Sequence, residues 1–258
     1  MPESRYVYDQ SWEQERERLA GIEAMWDPGT QALLARYVNP GSRVLEAGAG
    51  GGSVVSWLAA QVGDTGHVLA IDLDTRFVEP LASDVVAVRQ ANLVTDELPT
   101  DEYDVVHSRM VLEHIPERAD VLRKLVAALR PGGTLVLEDY DWSSFGFEST
   151  DEAPTRVSEG ILALMAAAGF EREYGRGLVA ALAAAGLTDV VGEGRSLIID
   201  GSHRGFPFFS LSFEQLAPAA VDAGLMTKED ADSVGSRLQG GDERIITPTL
   251  IAAIGRRG

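Results

Sequence analysis

Nine residues, Val44 to Gly52 (VLEAGAGGG), hold the first chemistry the sequence offers. Val44 and Leu45 read as the end of a buried strand, an acid follows at Glu46, and Gly48, Gly50 and Gly52 stand at alternate positions. Glycines so spaced let the chain turn sharply and let a ligand lie against bare backbone. Ser53 to Gln61 (SVVSWLAAQ) reads as the helix that follows. A strand, a glycine loop and a helix in that order form a nucleoside-binding unit. Asp72 lies 24 residues beyond Gly48, at the end of the next apolar run. Its carboxylate can accept both hydroxyls of a ribose diol.

Two ligands compete for this loop, a dinucleotide and S-adenosylmethionine. A dinucleotide fingerprint would use Gly48, Gly50 and Ser53, and such a match alone is weak. Asp72 suits either ligand. Glu46 separates them. Beside a pyrophosphate its fixed charge would be repulsive by about 4 kcal/mol at ~4 Å and an effective dielectric of ~20. S-adenosylmethionine has no phosphate and carries two cationic centres, so a carboxylate at the loop suits it.

The elements that must position these residues read as an alternating α/β chain. Trp12, Leu19, Ile22 and Trp26 share one helical face, and Glu13, Glu15, Arg16, Glu17 and Arg18 the other. Asp27-Pro28 reads as the start of a second helix, ending before Asn39-Pro40-Gly41. Strands are expected at 43–47, 67–71, 85–89, 103–107 and 134–139, with helices at 53–61, from Thr75 and at 119–129. Near-continuous apolar strands between amphipathic helices imply a parallel sheet covered on both faces. Later come helices from Thr150 towards Ala168 and at 178–185, a strand at 188–199, helices at 212–223 and 227–239, and a last strand at 245–254 that Pro248 breaks or places at an edge.

Five stretches, in order, carry a family resemblance. Glu46-Ala47-Gly48-Ala49-Gly50-Gly51-Gly52 resembles the first motif of class I S-adenosylmethionine-dependent methyltransferases, and Leu69 to Asp74 the second, with Asp72 as the ribose acid. Arg89 to Leu93 resembles the adenine loop, with Ala91-Asn92-Leu93 where the family often has Gly-Asp-Ala. Tyr103 to Arg109 with Leu112-Glu113-His114-Ile115-Pro116 is similar to the fourth-strand motif, and Leu129 to Leu135 to the turn before the fifth strand.

The resemblance covers roughly residues 40–140. It implies a Rossmann-like seven-stranded mixed sheet of order 3-2-1-4-5-7-6, strand 7 antiparallel, with helices on both faces. It implies S-adenosyl-L-methionine as cofactor, held by Glu46, Gly48, Gly50, Gly52, Asp72, Leu73, Asn92, Leu93, His107, Ser108 and Arg109. Residues 1–39 read as an N-terminal helical cap and 40–258 as the methyltransferase domain, with lid helices at about 206–239 inserted before the last strand.

Methyl transfer from a sulfonium is an in-line displacement, in which alignment can supply up to ~7–11 kcal/mol. The acceptor pocket is expected beyond the strand ends. Two aromatic windows fall there: Tyr140, Trp142, Phe145 and Phe147, then Phe206, Phe208, Phe209 and Phe213. They suit an apolar or aromatic small-molecule methyl acceptor, with core packing or a dimer interface as the plainer role for at least half of them. His114, Tyr140 and Asp141 are the candidate catalytic groups, with backbone bonding as the plainer role for His114. Tyr8 and Trp12 could close over the cofactor. No cysteine and four scattered histidines give no metal site.

A formal charge of −18 disfavours a nucleic acid partner. No apolar run of ~18 residues implies a membrane. The polar N-terminal stretch lacks a signal-peptide core, which favours the cytoplasm. The apolar late elements leave a homodimer open. An NAD-dependent reductase and a non-catalytic S-adenosylmethionine-binding module are the competing functions.

Overall fold

The computed structural model describes residues 13–258. Tyr8 and Trp12 lie outside them. Helix α1 (Glu15–Leu34) opens the described chain, followed by β1 (Arg43–Ala47), α2 (Ser53–Val62), β2 (His67–Asp72), β3 (Val86–Gln90) and β4 (Tyr103–Arg109). Then come α3 (Arg118–Ala128), β5 (Leu129–Asp141), β6 (Gly146–Phe147), α4 (Ala153–Ala167), α5 (Tyr174–Ala184), β7 (Thr188–Arg195) and β8 (Ile198–Ile199). Helices α6 (Phe206–Asp222) and α7 (Lys228–Gly240) and strands β9 (Ile245–Ile246) and β10 (Thr249–Arg256) complete it.

Seven strands form one sheet in the order β3-β2-β1-β4-β5-β10-β7. Strands β1 to β5 pair in parallel, and β10 runs antiparallel to both β5 and β7. This is the expected order. The strands are apolar almost throughout because both faces are covered. Val44, Val68, Val105 and Val136 pack with α2 and the end of α1, while their neighbours Leu45, Leu69, Val106 and Leu135 pack with α3 and α5. A third core gathers the middle of α1 with α4, α6 and α7 around Tyr140.

Five expectations need correction. Pro28 starts no second helix: α1 is continuous through it. A proline there removes one helical hydrogen bond, and tertiary anchors on both sides hold the helix. The Trp26 indole N–H donates to the Tyr140 hydroxyl at 2.6 Å, and the Thr30 hydroxyl donates to Glu138 Oε2 at 2.6 Å. The charged face of α1 is not wholly solvent-facing, since Glu15 and Arg18 are buried as a bidentate pair at 2.7 and 2.8 Å.

The strand expected at 188–199 ends at Arg195, and the one at 245–254 divides at Thr247-Pro248. Proline has no N–H for a ladder, and the Thr247 hydroxyl instead accepts from the Leu197 N–H at 3.0 Å. The freed ends pair as a small sheet, β6-β9-β8. Finally, α6 begins at Phe206 rather than Ser212, so the second aromatic window is helical.

Candidate active site

Strand β1 delivers Glu46 to the carboxyl end of the sheet, and the glycine loop begins directly beyond it. Gly48 has φ +84° and a side chain there would strike Val111 at 2.1 Å. Gly52 has φ +87° and caps α2, where a Cβ would meet Leu81 at 2.8 Å. The loop is fastened to β2. The Gly48 and Ala49 N–H groups donate to the Ile71 carbonyl, and the Gly50 N–H donates to Asp72 Oδ2 at 2.8 Å. Asp72 Oδ1 accepts from the Asp74 N–H at 3.1 Å. Burial pushes the Asp72 carboxyl up, against the opposing pull of the Gly50, Asp74 and Leu73 N–H groups.

This loop forms one side of a cavity of about 440 Å³. Glu46, Gly48, Gly50, Asp72, Leu73, Asn92, Leu93 and Arg109 all line it, as do His114 and Tyr140. Three expected cofactor residues lie elsewhere. His107 is wholly buried under the loop, with Nδ1 2.7 Å from Glu46 Oε2 and Nε2 3.2 Å from Glu138 Oε2. Ser108 is also buried and donates to the Ala47 carbonyl at 2.8 Å. Gly52 serves the helix start and is not in the cavity wall. The β1–β4 register explains His107: it stands directly across from Glu46. The side chain therefore meets Glu46 inside the sheet layer, where it orients that carboxylate.

The candidate catalytic groups divide in the same way. Asp141 is outside the cavity wall and salt-bridged to Arg176 at 3.0 Å. Partial burial works to raise its pKa, but the Arg176 bond and the Ser143 N–H outweigh that and hold it low. His114 lies on the wall against the Phe170 ring, 5.0 Å between centroids. Burial, with the charges of Arg18 and Arg118, pushes its imidazole down to about 3. It is neutral at physiological pH and too weak a base to take a proton readily. Tyr140 is buried, and its hydroxyl accepts from Trp26. Asn92 lines the wall, and its side-chain oxygen accepts from the Val94 N–H at 2.9 Å.

Several residues on or beside this wall were not among the expected site residues. Glu113 is buried beside His114, its Oε2 accepting from the Tyr140 N–H at 2.9 Å. Asp139 Oδ1 accepts from the Val111 N–H at 3.0 Å, close under the same loop. Burial and mutual repulsion push Glu113 well up, and burial pushes Asp139 to about 7. Both acids staple the segment after β4 to the end of β5. Met110, also on the wall, has φ +55°, a left-handed turn held by its N–H bond to the Glu138 carbonyl at 2.7 Å. The LEHIP segment was the available signal for Glu113. The left-handed turn at Met110 had none.

The electrostatics of the wall favour a cationic guest. Seven acidic side chains line it against three guanidinium groups. Each of those three already has an acid: Arg18 with Glu15, Arg76 with Asp74, and Arg109 with Asp27. A pyrophosphate would face Glu46 and Asp72 without an uncommitted cation among the described wall residues to offset them.

A family model described as "Methyltransferase domain" matches residues 12–190. The chain belongs to that family. Among curated relatives, methyltransferase str2 of Strobilurus tenacellus is 35% identical over 144 residues, covering 53% of this chain and 50% of the relative. The ubiquinone/menaquinone biosynthesis C-methyltransferase UbiE of Ectopseudomonas mendocina is 28% identical over 128 residues, covering 46% and 49%. The chain thus spans about half the length of these curated relatives.

Solved structures share the fold. Phosphoethanolamine N-methyltransferase 2 of Haemonchus contortus, solved with S-adenosyl-L-methionine, aligns at TM-score 0.61 and 15% identity, over 100% of this chain and 60% of that one. The YcgJ protein of Bacillus subtilis aligns at TM-score 0.60 and 15% identity, over 89% and 98%.

The cofactor of this methyltransferase family is S-adenosylmethionine, and the residues present fit it. The loop offers bare backbone at Gly48 and Gly50, Asp72 supplies a diol acceptor, and Glu46 supplies a carboxylate for an ammonium or sulfonium group. No helix among the described residues is long and apolar enough to cross a membrane.

Proposed function

We propose that this chain transfers a methyl group from S-adenosylmethionine to an apolar or aromatic small molecule. The observation that carries the reading is the shape of the cavity. One end is the glycine loop with Glu46 and Asp72, and the other is apolar, walled by Tyr140, Trp142, Met165, Phe170 and Phe208. A methyl acceptor seated among the aromatic rings would share an enclosed space with the donor. The relatives named for ubiquinone/menaquinone C-methylation support an acceptor of small-molecule size.

When bound, the cofactor supplies an electrophilic methyl on a sulfonium. The chain's own residues supply position. Asp72 and Asn92 hold the nucleoside end. Glu46, oriented by His107, faces the cationic end. The bond from Trp26 to Tyr140 fixes the phenol, which orients the acceptor. The apolar wall excludes water, which strengthens every charge interaction inside. His114 stays neutral, so alignment rather than proton removal by this group carries the rate.

Labelled donor tests the proposal. The purified protein, given S-adenosylmethionine labelled in its methyl group and a small-molecule extract, should move label into the organic-soluble fraction. Label confined to added protein or nucleic acid would refute the acceptor class.

A further inference from the structure

Strands β1, β4 and β5 turn Val44, Val105 and Val136 towards α2 and the end of α1. Side chains alternate along a strand, so the next residue on that face of each strand is Glu46, His107 and Glu138. All three are buried, at 2%, 0% and 0% exposure. A second apolar row would serve packing as well, because exchanging buried ionic groups for apolar ones of similar volume is often neutral or stabilising. A row of titratable groups here points to a task other than stability.

Only one end of the row reaches the cavity. Glu46 lines it, whereas His107 and Glu138 do not. His107 takes Glu46 Oε2. The other oxygen, Oε1, has no hydrogen-bond partner among the described residues and is not shielded from solvent. It is the oxygen available to a guest.

The far end of the row is fixed from three sides. Glu138 Oε2 faces His107 Nε2 and accepts from the Thr30 hydroxyl, and the Arg195 guanidinium pairs with Oε1. Each nitrogen of His107 has its own carboxylate, so turning the ring would break both contacts at once. Thr30, wholly buried on α1, also accepts from Arg109 Nη1 at 3.0 Å.

We propose that Glu138 and Thr30 are positioning residues for the donor site. They hold the His107 ring, and through it Glu46, so that Oε1 meets the ammonium at the amino-acid end of the cofactor. This role rests on the reading of Glu46 as a donor-site acid. Neither residue touches the cofactor, and the nucleoside end, held at Asp72 and Asn92, is independent of the row.

The test compares two ligands that share adenosine and a thioether. S-adenosylhomocysteine carries the ammonium, and 5′-methylthioadenosine lacks the whole amino-acid end. Calorimetric titration gives both affinities for each full-length variant, and their ratio is the readout, because a general loosening of the fold weakens both ligands. Thr30→Val keeps the volume and removes the hydroxyl. It should cut S-adenosylhomocysteine affinity about fivefold, on the scale of one hydrogen bond, and leave 5′-methylthioadenosine affinity unchanged. Thr30→Ser, which keeps the hydroxyl, should retain the wild-type ratio. Glu138→Gln leaves Arg109 its partners Thr30 and Asp27, and should lower the ratio as Thr30→Val does; it decides if Thr30→Val does not fold. Glu46→Gln should lower the ratio at least as far.

Equal weakening of both ligands, a ratio unchanged in Thr30→Val or in Glu138→Gln, or a ratio lost in Thr30→Ser would overturn the positioning role. If Glu46→Gln still lowers the ratio, such a result sinks the row alone and leaves the donor acid standing. A ratio unchanged in Glu46→Gln sinks the reading of Glu46 and the positioning role with it.

Discussion

Single side chains in this protein owe their character to neighbours that strand register supplies. Glu46 resembles a lone loop acid, yet His107 across the parallel pair holds it at 2.7 Å. His114 resembles a base, yet its burial beside two arginines pushes it down to about 3. His114→Asn should therefore leave the pH–rate profile unchanged and lower turnover by no more than about threefold, since a general base is typically worth ~10²–10⁴. A hundredfold loss together with a vanished acid limb would restore the base. Asp139 predicts a pH effect on stability. Its carboxyl ionises at 3.8 in the unfolded chain and is pushed to about 7 in the fold. The folded state thus binds the extra proton between those values, and stability falls as pH rises through them, by at most about 1.4 kcal/mol per pH unit. Asp139→Asn keeps an oxygen for the Val111 N–H and removes the titration. Denaturant unfolding should show the variant's advantage growing from pH 4 to pH 7; an advantage independent of pH would contradict the assignment.

Elements were legible where the signal was local. Apolar strands, glycine turns and the acid at the end of β2 sit within a few residues of one another, so the five parallel strands and the donor loop could be read directly. Helix α1 could not, because Pro28 is a sound helix-start signal and only the distant anchors at Tyr140 and Glu138 override it. Pro28→Ala should therefore restore a helical hydrogen bond and stabilise the fold by about 1–2 kcal/mol, the helix gain outweighing the looser unfolded chain. An unchanged or lowered unfolding midpoint would mean that the helix gains nothing from an N–H at position 28. The sheet β6-β9-β8 was illegible for another reason: its strands are two residues each, too short for any periodicity. The motif also placed His107 and Ser108 on the right strand without saying which way they face. Their position under the loop became visible only through the register.

At the scale of the whole molecule, one cavity joins two unlike walls. The carboxyl ends of the strands give acidic side chains and bare backbone, and helices α1, α4 and α6 with the end of β5 give aromatic and aliphatic side chains. Seven of the eight aromatics in the two sequence windows line this cavity or a smaller one that shares Trp142, Met165 and Phe208 with it, and the eighth, Phe206, packs in the core. The sequence showed that these windows existed but not that they converge, since about 60 residues separate them. The donor end carries the proposed chemistry. Calorimetric titration of wild type and Asp72→Ala with S-adenosylhomocysteine and with NAD tests it most directly. Wild type should bind S-adenosylhomocysteine, Asp72→Ala should bind it at least about tenfold more weakly for the loss of charge-assisted bonds to the diol, and NAD should give no heat of binding. NAD binding to wild type, with none by S-adenosylhomocysteine, would contradict the account.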